Sequence, residues 1–441
     1  MSSVRTRRVV VASALLAAAL WVGVVSAGEG GGASPAQDSG SFSATFESVV
    51  ALVRSNYWDP LHLDWDAWAE RFRADAVVSA DRGAFDVVMA RMLRALDDGH
   101  SRWVGLTEPA PPTAPLVPSP PRIGCACVYL DGRGLLVERV YPDTPAASAG
   151  LLRGDVVVSV DDVALGAAGS LVAANGLLRQ ALERGPVTLQ VERRRRSLEI
   201  VVEAAEVSFA TVAALPYARM LDASNGYLAI PTFLNADVAT AAHAALAQLQ
   251  AAGAVGLVLD LRGNAGGRLL EAGGLMAAVH QGAWALGVAR GEVVWRAATL
   301  CQGGEAVSCL VAADGTLLAS AILDARVAWD GPVVVLVDTA TTSVAEVVAA
   351  ALQRSGRARV VGEPTPGNVE AVQGFTLADG SRVLVAVADL RAADGASLAA
   401  GVVPDVVARA DRDALALGLD LPVLEARRLL GGLPFVPDAR F

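Results

Sequence analysis

Gly256-Leu257-Val258-Leu259-Asp260-Leu261-Arg262-Gly263-Asn264-Ala265-Gly266-Gly267 is an apolar run that ends in a glycine-rich turn. An unbroken apolar stretch followed by such a turn reads as a parallel strand buried on both faces. The glycines allow close backbone approach and can aim N–H groups outward, as an oxyanion site needs; a tight packing turn explains them too. A second stretch repeats the plan. Val333 to Val337 is apolar throughout and runs into Asp338-Thr339-Ala340-Thr341-Thr342-Ser343-Val344-Ala345-Glu346, with a helix predicted over about 344–354 and closed by Gly356. Ser343 would sit at the positive end of that helix's dipole, which favours a developing alkoxide. Serine is equally a common helix cap.

Working outward, Tyr227 to Ile230 reads as another strand, and Asn235 is placed to cap a helix that runs to Gln250 and ends at Gly253. Residues 208–420 therefore alternate strand and helix, which predicts an α/β layered core with 421–441 as a tail. Residues 122–207 carry short strands between turns (Gly124 to Leu130, Gly134 to Val140, Val156 to Val160), a helix over Leu171 to Leu182, and a solvated hairpin around Arg193 to Arg196. A proline-dense linker at 109–121 separates this unit from a helical segment at 42–108, where Phe46, Val49, Val50 and Val53 recur at helical spacing. Residues 28–41, rich in Gly and Ser, read as a flexible leader.

Residues 1–27 have the form of an export signal: Arg5, Arg7 and Arg8 precede an apolar run from Val9 to Val25, and Val25-Ser26-Ala27 offers a cleavage point. The expectation is an exported protein, periplasmic or extracellular, with any membrane attachment confined to an uncleaved N-terminal anchor. The formal charge of −10 argues against nucleic acid as a partner. With 53% hydrophobic and 19% charged residues, the 441-residue chain can fill several cores. All 36 basic residues are arginine; there is no lysine anywhere. Of the four cysteines, Cys301 and Cys309 flank a turn and could staple a hairpin, whereas Cys125 and Cys127 share one strand face and are not expected to bond each other. The four histidines have no ligand-like spacing, so no metal and no cofactor is expected.

These segments together resemble the tail-specific (C-terminal processing) serine peptidase family along nearly all of the exported chain. The likeness runs through Pro145-Ala146-Ala147-Ser148-Ala149-Gly150-Leu151 and Gly154-Asp155-Val156, which resemble a PDZ domain. It continues through Leu259-Asp260-Leu261-Arg262-Gly263-Asn264, Gly266-Gly267, the Ser343 turn, Val361-Gly362-Glu363, Asp379-Gly380-Ser381 and Gly401-Val402-Val403-Pro404-Asp405. Leu96-Asp97-Asp98-Gly99-His100-Ser101 is similar to the family's segment just before its PDZ domain. The resemblance implies a ClpP/crotonase-like core with an inserted β-rich PDZ domain and an N-terminal helical segment. It also implies a serine-type endopeptidase acting on C-terminal or unstructured peptide segments. Peptide would be held at Arg122, Ile123, Gly124 and Cys125; Ser343 would be the nucleophile; and amides near Gly266, Gly267 and Val344 would hold the oxyanion.

One position departs from the family. Its general-base lysine lies 25 residues beyond the serine, where this chain has Asn368, and an amide has no useful basicity near neutral pH. The family's glutamine four residues further on is matched by Val372, and Ala265 stands where proline is common. His100 is the candidate replacement base, because tricorn-type relatives use a histidine from a similar segment. Asp389 or Glu370 would then be its orienting carboxylate. The alternative for His100 is a structural bond to a loop backbone. Two readings follow, a peptidase weakened by the loss of its lysine and a catalytically inactive pseudoprotease that binds peptide C-termini; the presence of both Ser343 and the oxyanion turn favours the first.

Overall fold

A computed structural model describes residues 39–106, 123–205 and 215–431. The export signal, the leader up to residue 38, the proline-dense linker and Arg122 lie outside the described residues, and the last three leader residues, 39–41, are helical rather than a flexible lead-in. Helices Ser39–Asn56, Trp65–Val77 and Arg82–Arg94 open the chain, followed by strand β1 (Arg102–Gly105). Asp64 and Asp81 cap the second and third by accepting from backbone N–H groups, Ala67 and Ala84 among them. Their apolar faces meet Val383, Val385 and Ala386 of a core strand, and the rings of Phe42 and Phe85 stack at 4.7 Å. The helical segment predicted at 42–108 is thus one half of a shared core.

The β-rich insert contains β2 (Cys125–Leu130), β3 (Gly134–Val140), β4 (Val156–Val160), β5 (Val163–Ala164), β6 (Val187–Arg193) and β7 (Arg196–Val202). They form one sheet in the order β2-β3-β4-β6-β7, with β5 paired to β4, so β2 is an edge. Helix Leu171–Leu182, capped by Ser170, buries Ala174, Leu178, Ala181 and Leu182 in the same cluster as Cys125 and Val137.

The remainder builds two further sheets. β8 (Tyr217–Met220), β9 (Asn225–Ala229), β10 (Gly256–Asp260), β15 (Val333–Val337), β16 (Ala358–Gly362) and β19 (Val406–Val407) lie in the order β19-β16-β15-β10-β9-β8, parallel except for the edge strand β8. β11 (Gly282–Ala289), β12 (Glu292–Gln302), β13 (Glu305–Ala312) and β14 (Leu317–Leu323) continue an antiparallel sheet from β18 (Arg382–Ala392), which also pairs β1 and β17 (Glu370–Thr376). Every residue of β10 and β15 is buried, as their unbroken apolar runs predict. Helices Val238–Ala251 and Val344–Arg354 cover one face of the parallel sheet.

Three expectations are corrected. Residues 421–431 are not a free tail: helix Leu421–Leu429 buries Val423 and Ala426 against Val258, Val334 and Leu336, covering the sheet's other face. The central helix begins at Val238 rather than beside Asn235, whose side chain accepts from the Asp237 N–H. Cys301 and Cys309 do not staple their hairpin, because the register sets Cys301 opposite Ala306 and Cys309 opposite Ala298. Cys125 and Cys127 are free thiols 3.6 Å apart.

Candidate active site

Because β10 and β15 are adjacent and parallel, the turns leaving their C-terminal ends emerge side by side, where open α/β sheets place their sites. Backbone and side-chain bonds lace the two turns together. The Asp338 carboxylate accepts from the Gly263 N–H at 2.9 Å and the Asn264 carbonyl accepts from the Thr342 N–H at 3.0 Å. Thr341, wholly buried, donates to the Leu261 carbonyl at 3.0 Å.

Ser343 follows with φ 57° and ψ −131°. An ordinary capping serine is extended, so capping does not account for this backbone. A non-glycine residue held there costs about 1–3 kcal/mol and persists only where its surroundings fix it. Those surroundings are explicit. The Ser343 N–H donates to the Asn368 carbonyl at 2.8 Å and to Glu346 Oε2 at 3.0 Å. Glu346, fully buried, also accepts from Thr365 Oγ1 at 2.5 Å, the Gly367 N–H at 2.7 Å and the Asn368 N–H at 3.1 Å. Burial raises its pKa, and these donors oppose that rise. Glu346 was not singled out from the sequence, although the Ser-x-x-Glu spacing of a capping box was the available signal.

The glycine turn presses against the serine. A Cβ at Gly266 would lie 2.7 Å from Ser343 Cβ, and one at Gly267 2.3 Å from the Phe233 carbonyl carbon. Gly266 itself is not an oxyanion donor, a correction: its N–H is spent on Asn264 Oδ1 at 2.8 Å. Phe233 bridges to Gly267 through the Gly266 carbonyl and the Arg268 N–H, leaving Gly267's own N–H on the other side. Val344 begins the helix, so its N–H has no intrahelical acceptor.

Behind this turn, Asp260 and Arg262 form a buried, multiply bonded pair, and Arg262 also reaches Asp420 at 2.9 Å. Despite burial, the arginines beside Asp420 hold its carboxyl far below the usual range.

The Asn368 side chain makes no hydrogen bond to Ser343 and reaches the His100 loop. With its amide nitrogen assigned from its neighbours, that nitrogen lies 3.0 Å from His100 Nδ1, 3.1 Å from Glu370 Oε2 and 3.2 Å from the Asp98 carbonyl. Glu370 Oε2 also lies 2.9 Å from His100 Nδ1. The Glu370 carboxylate and the Asp98 carbonyl, 3.3 Å away, both call for a proton on Nδ1 and outnumber the Asn368 amide, which calls for a lone pair there; Nε2 then keeps its lone pair, the tautomer a base requires. Burial lowers the His100 pKa, but Glu370 and Asp98, each through a hydrogen bond and its charge, together outweigh it, so the net shift is upward. Of the two suggested orienting carboxylates, Glu370 makes the contact. Asp389, whose pKa burial raises, bonds Arg391 at 2.7 Å instead. The loop bearing His100 is pinned by Asp98, which accepts from the His100 and Ser101 N–H groups at 2.8 and 2.7 Å. No hydrogen bond joins His100 to Ser343; Asn368 bridges them, backbone on one side and side chain on the other.

At the insert, Ile123 and Cys125 are buried and Gly124 has φ 80°. The Ile123 and Gly124 carbonyls accept from Ala146 and Tyr141, which fixes this loop at the start of the free edge β2. His243 is a packing residue, buried and bonded to the Gly274 carbonyl at 2.9 Å.

Residues 224–408, which hold both turns and Asn368, match peptidase family S41, and residues 136–193 match a PDZ domain. The chain belongs to peptidase family S41. It is 31% identical over 332 residues to the chloroplastic C-terminal processing peptidase of Tetradesmus obliquus, covering 72% of this chain and 66% of that one. It is 33% identical over 256 residues to the carboxyl-terminal-processing protease of Synechocystis sp. (strain ATCC 27184 / PCC 6803 / Kazusa), covering 56% of this chain and 52% of that one. The S41 chain thus spans between about half and two thirds of the length of these relatives. An S41 protease structure from Bacteroides fragilis NCTC 9343 shares the fold, with TM-score 0.56 and 18% identity over 87% of this chain and 97% of that one. Among the described residues, no helix is long and apolar enough to cross a membrane.

Proposed function

We propose that this S41 chain is an exported serine endopeptidase of the tail-specific type, acting on C-terminal or unstructured peptide segments in the cell envelope. The observation that carries this is the backbone of Ser343, held at φ 57° beside the glycine turn, a conformation that an ordinary extended helix cap does not adopt. In this reading Ser343 Oγ attacks the scissile carbonyl, and the Gly267 and Val344 N–H groups receive the oxyanion. His100, oriented by Glu370, takes the serine proton in place of the missing lysine. Since Asn368 separates His100 from Ser343 in the resting chain, the transfer needs a small rearrangement or one water, and a slow enzyme is expected. The PDZ groove captures the substrate's C-terminal carboxylate near residues 122–125 and adds the peptide as a strand to β2.

The missing Ser343–His100 hydrogen bond favours a second reading, a pseudoprotease that binds peptide C-termini without turnover. An unstructured peptide with an apolar free C-terminus, incubated with wild type, Ser343→Ala and His100→Ala, separates the two. Cleavage lost in both variants supports the peptidase. Binding without cleavage by wild type supports the pseudoprotease, and cleavage that survives Ser343→Ala excludes the serine mechanism.

A further inference from the structure

A cavity of about 510 Å³ lies where the PDZ domain, β8 and helix Leu421–Leu429 meet. No residue of β2 or of helix Leu171–Leu182 lines it, although the Tyr141 N–H at its wall donates to the Gly124 carbonyl, and its size is that of a small-molecule pocket. Leu151, Met220, Leu221, Val423 and Leu424 give it an apolar wall, and six arginines and two aspartates complete the lining.

Both aspartates are already committed. Asp155 accepts from Arg193 at 2.7 Å through each oxygen, and Asp420 accepts from Arg153 at 3.0 Å and from Arg262 at 2.9 Å. Among the described residues, neither Arg139 nor Arg219 forms a carboxylate ion pair, although Arg139 bonds the Tyr141 side chain and lies in the field of Asp260. Arg139 donates to the Arg262 carbonyl at 3.4 Å, and Arg219 lies 5.0 Å over the Tyr227 ring. The cavity therefore combines an excess of guanidinium groups with an apolar body in a chain whose net charge is −10. Arginines at a concave apolar surface suit a carboxylate, which they can grip with paired N–H groups.

We propose that this cavity binds an organic monocarboxylate with an apolar body, its head on Arg139 and Arg219 and its chain along Leu221 and Leu424. Such a ligand is either a free amphiphile or the apolar C-terminus of a peptide. The site stands independently of whether Ser343 is active. Through Arg139 it touches the carbonyl of Arg262, a residue of the turn that carries Gly266 and Gly267.

Calorimetric titration with octanoate, octan-1-ol, and acetyl-Ala-Ala-Leu as free acid or amide tests this, using wild type, Arg139→Gln, Arg219→Ala and Leu424→Trp. Octanoate is expected to bind at least tenfold tighter than octan-1-ol, to weaken at least tenfold in either arginine variant, and to lose binding when tryptophan fills the cavity. If the peptide acid weakens in the same variants, the source is a peptide terminus; if only octanoate does, it is a free amphiphile. Thermal melts identify any variant that fails to fold, and the other two then carry the test. Equal binding of octanoate and octan-1-ol, no binding of either acid, or affinities untouched in the folded variants would overturn the proposal.

Discussion

The Ser343 N–H donates to the Asn368 carbonyl at 2.8 Å, so Asn368 meets Ser343, the proposed nucleophile, through its backbone while its side chain reaches the His100–Glu370 pair. In the proposed mechanism this loop is where a lysine base would act. Asn368→Lys is therefore expected to place an amine beside Ser343 and raise peptide cleavage by about a hundredfold or more, the range of a positioned general base. Steady-state assays of the single variant check this, and an unchanged rate would show that more than the base is missing.

The two residues share an anchor in Glu346. Glu346→Ala leaves the N–H groups of Gly367 and Asn368 and the buried Thr365 hydroxyl without this acceptor, while the Ser343 N–H keeps the Asn368 carbonyl. The expected cost is about 3 kcal/mol in urea unfolding, since each buried donor left unpaired costs about 1–3 kcal/mol and some will find water.

Burial lowers the His100 pKa, and Glu370 together with Asp98 raises it by more. A base must be neutral to accept a proton, so the acid limb of the cleavage rate should lie above the ordinary histidine value of 6.5. Glu370→Gln removes one of the charges that raise it and should move that limb to lower pH. The stability sign agrees. A raised histidine pKa contributes stability that is fully present below the unfolded value and is lost as pH rises through the folded one. Urea unfolding across that window should show wild type losing its advantage over His100→Gln as pH rises.

Asp420 behaves oppositely. Its carboxyl is held low by Arg262 and Arg153, so its contribution is present above the unfolded carboxylate value and fades as pH falls toward the folded one. Arg262→Met leaves Asp260 and Asp420 charged and buried without it, and should cost about 3–5 kcal/mol at neutral pH. Part of that cost should disappear in acid, as chemical denaturation at stepped pH would show.

The parallel core was legible because β10 and β15 are apolar throughout, and the two turns announced themselves through Gly266, Gly267 and Ser343. What the sequence hid depends on distance and register. Ser343 reads as a cap until its backbone angles are known. Glu346 looks like a helix residue until a loop more than 20 positions later, at Asn368, closes on it. Arg262 finds Asp420 158 residues away, and this contact helps seat a helix that sequence alone left as a tail. Cys301 and Cys309 failed as a pair because cross-strand register, rather than nearness to one turn, decides which side chains face each other. His100 was picked from a short segment, but only the fold could choose between Glu370 and Asp389 as its partner.

The central claim is that Ser343 is a chemically activated nucleophile. Intact-protein mass spectrometry after exposure to a fluorophosphonate, with peptide mapping of the adduct, measures this directly. The account predicts one adduct, located on Ser343 and formed at least tenfold more slowly in His100→Ala. A wild-type protein that gains no adduct under conditions that label an active serine hydrolase, or gains it on another residue, would contradict it.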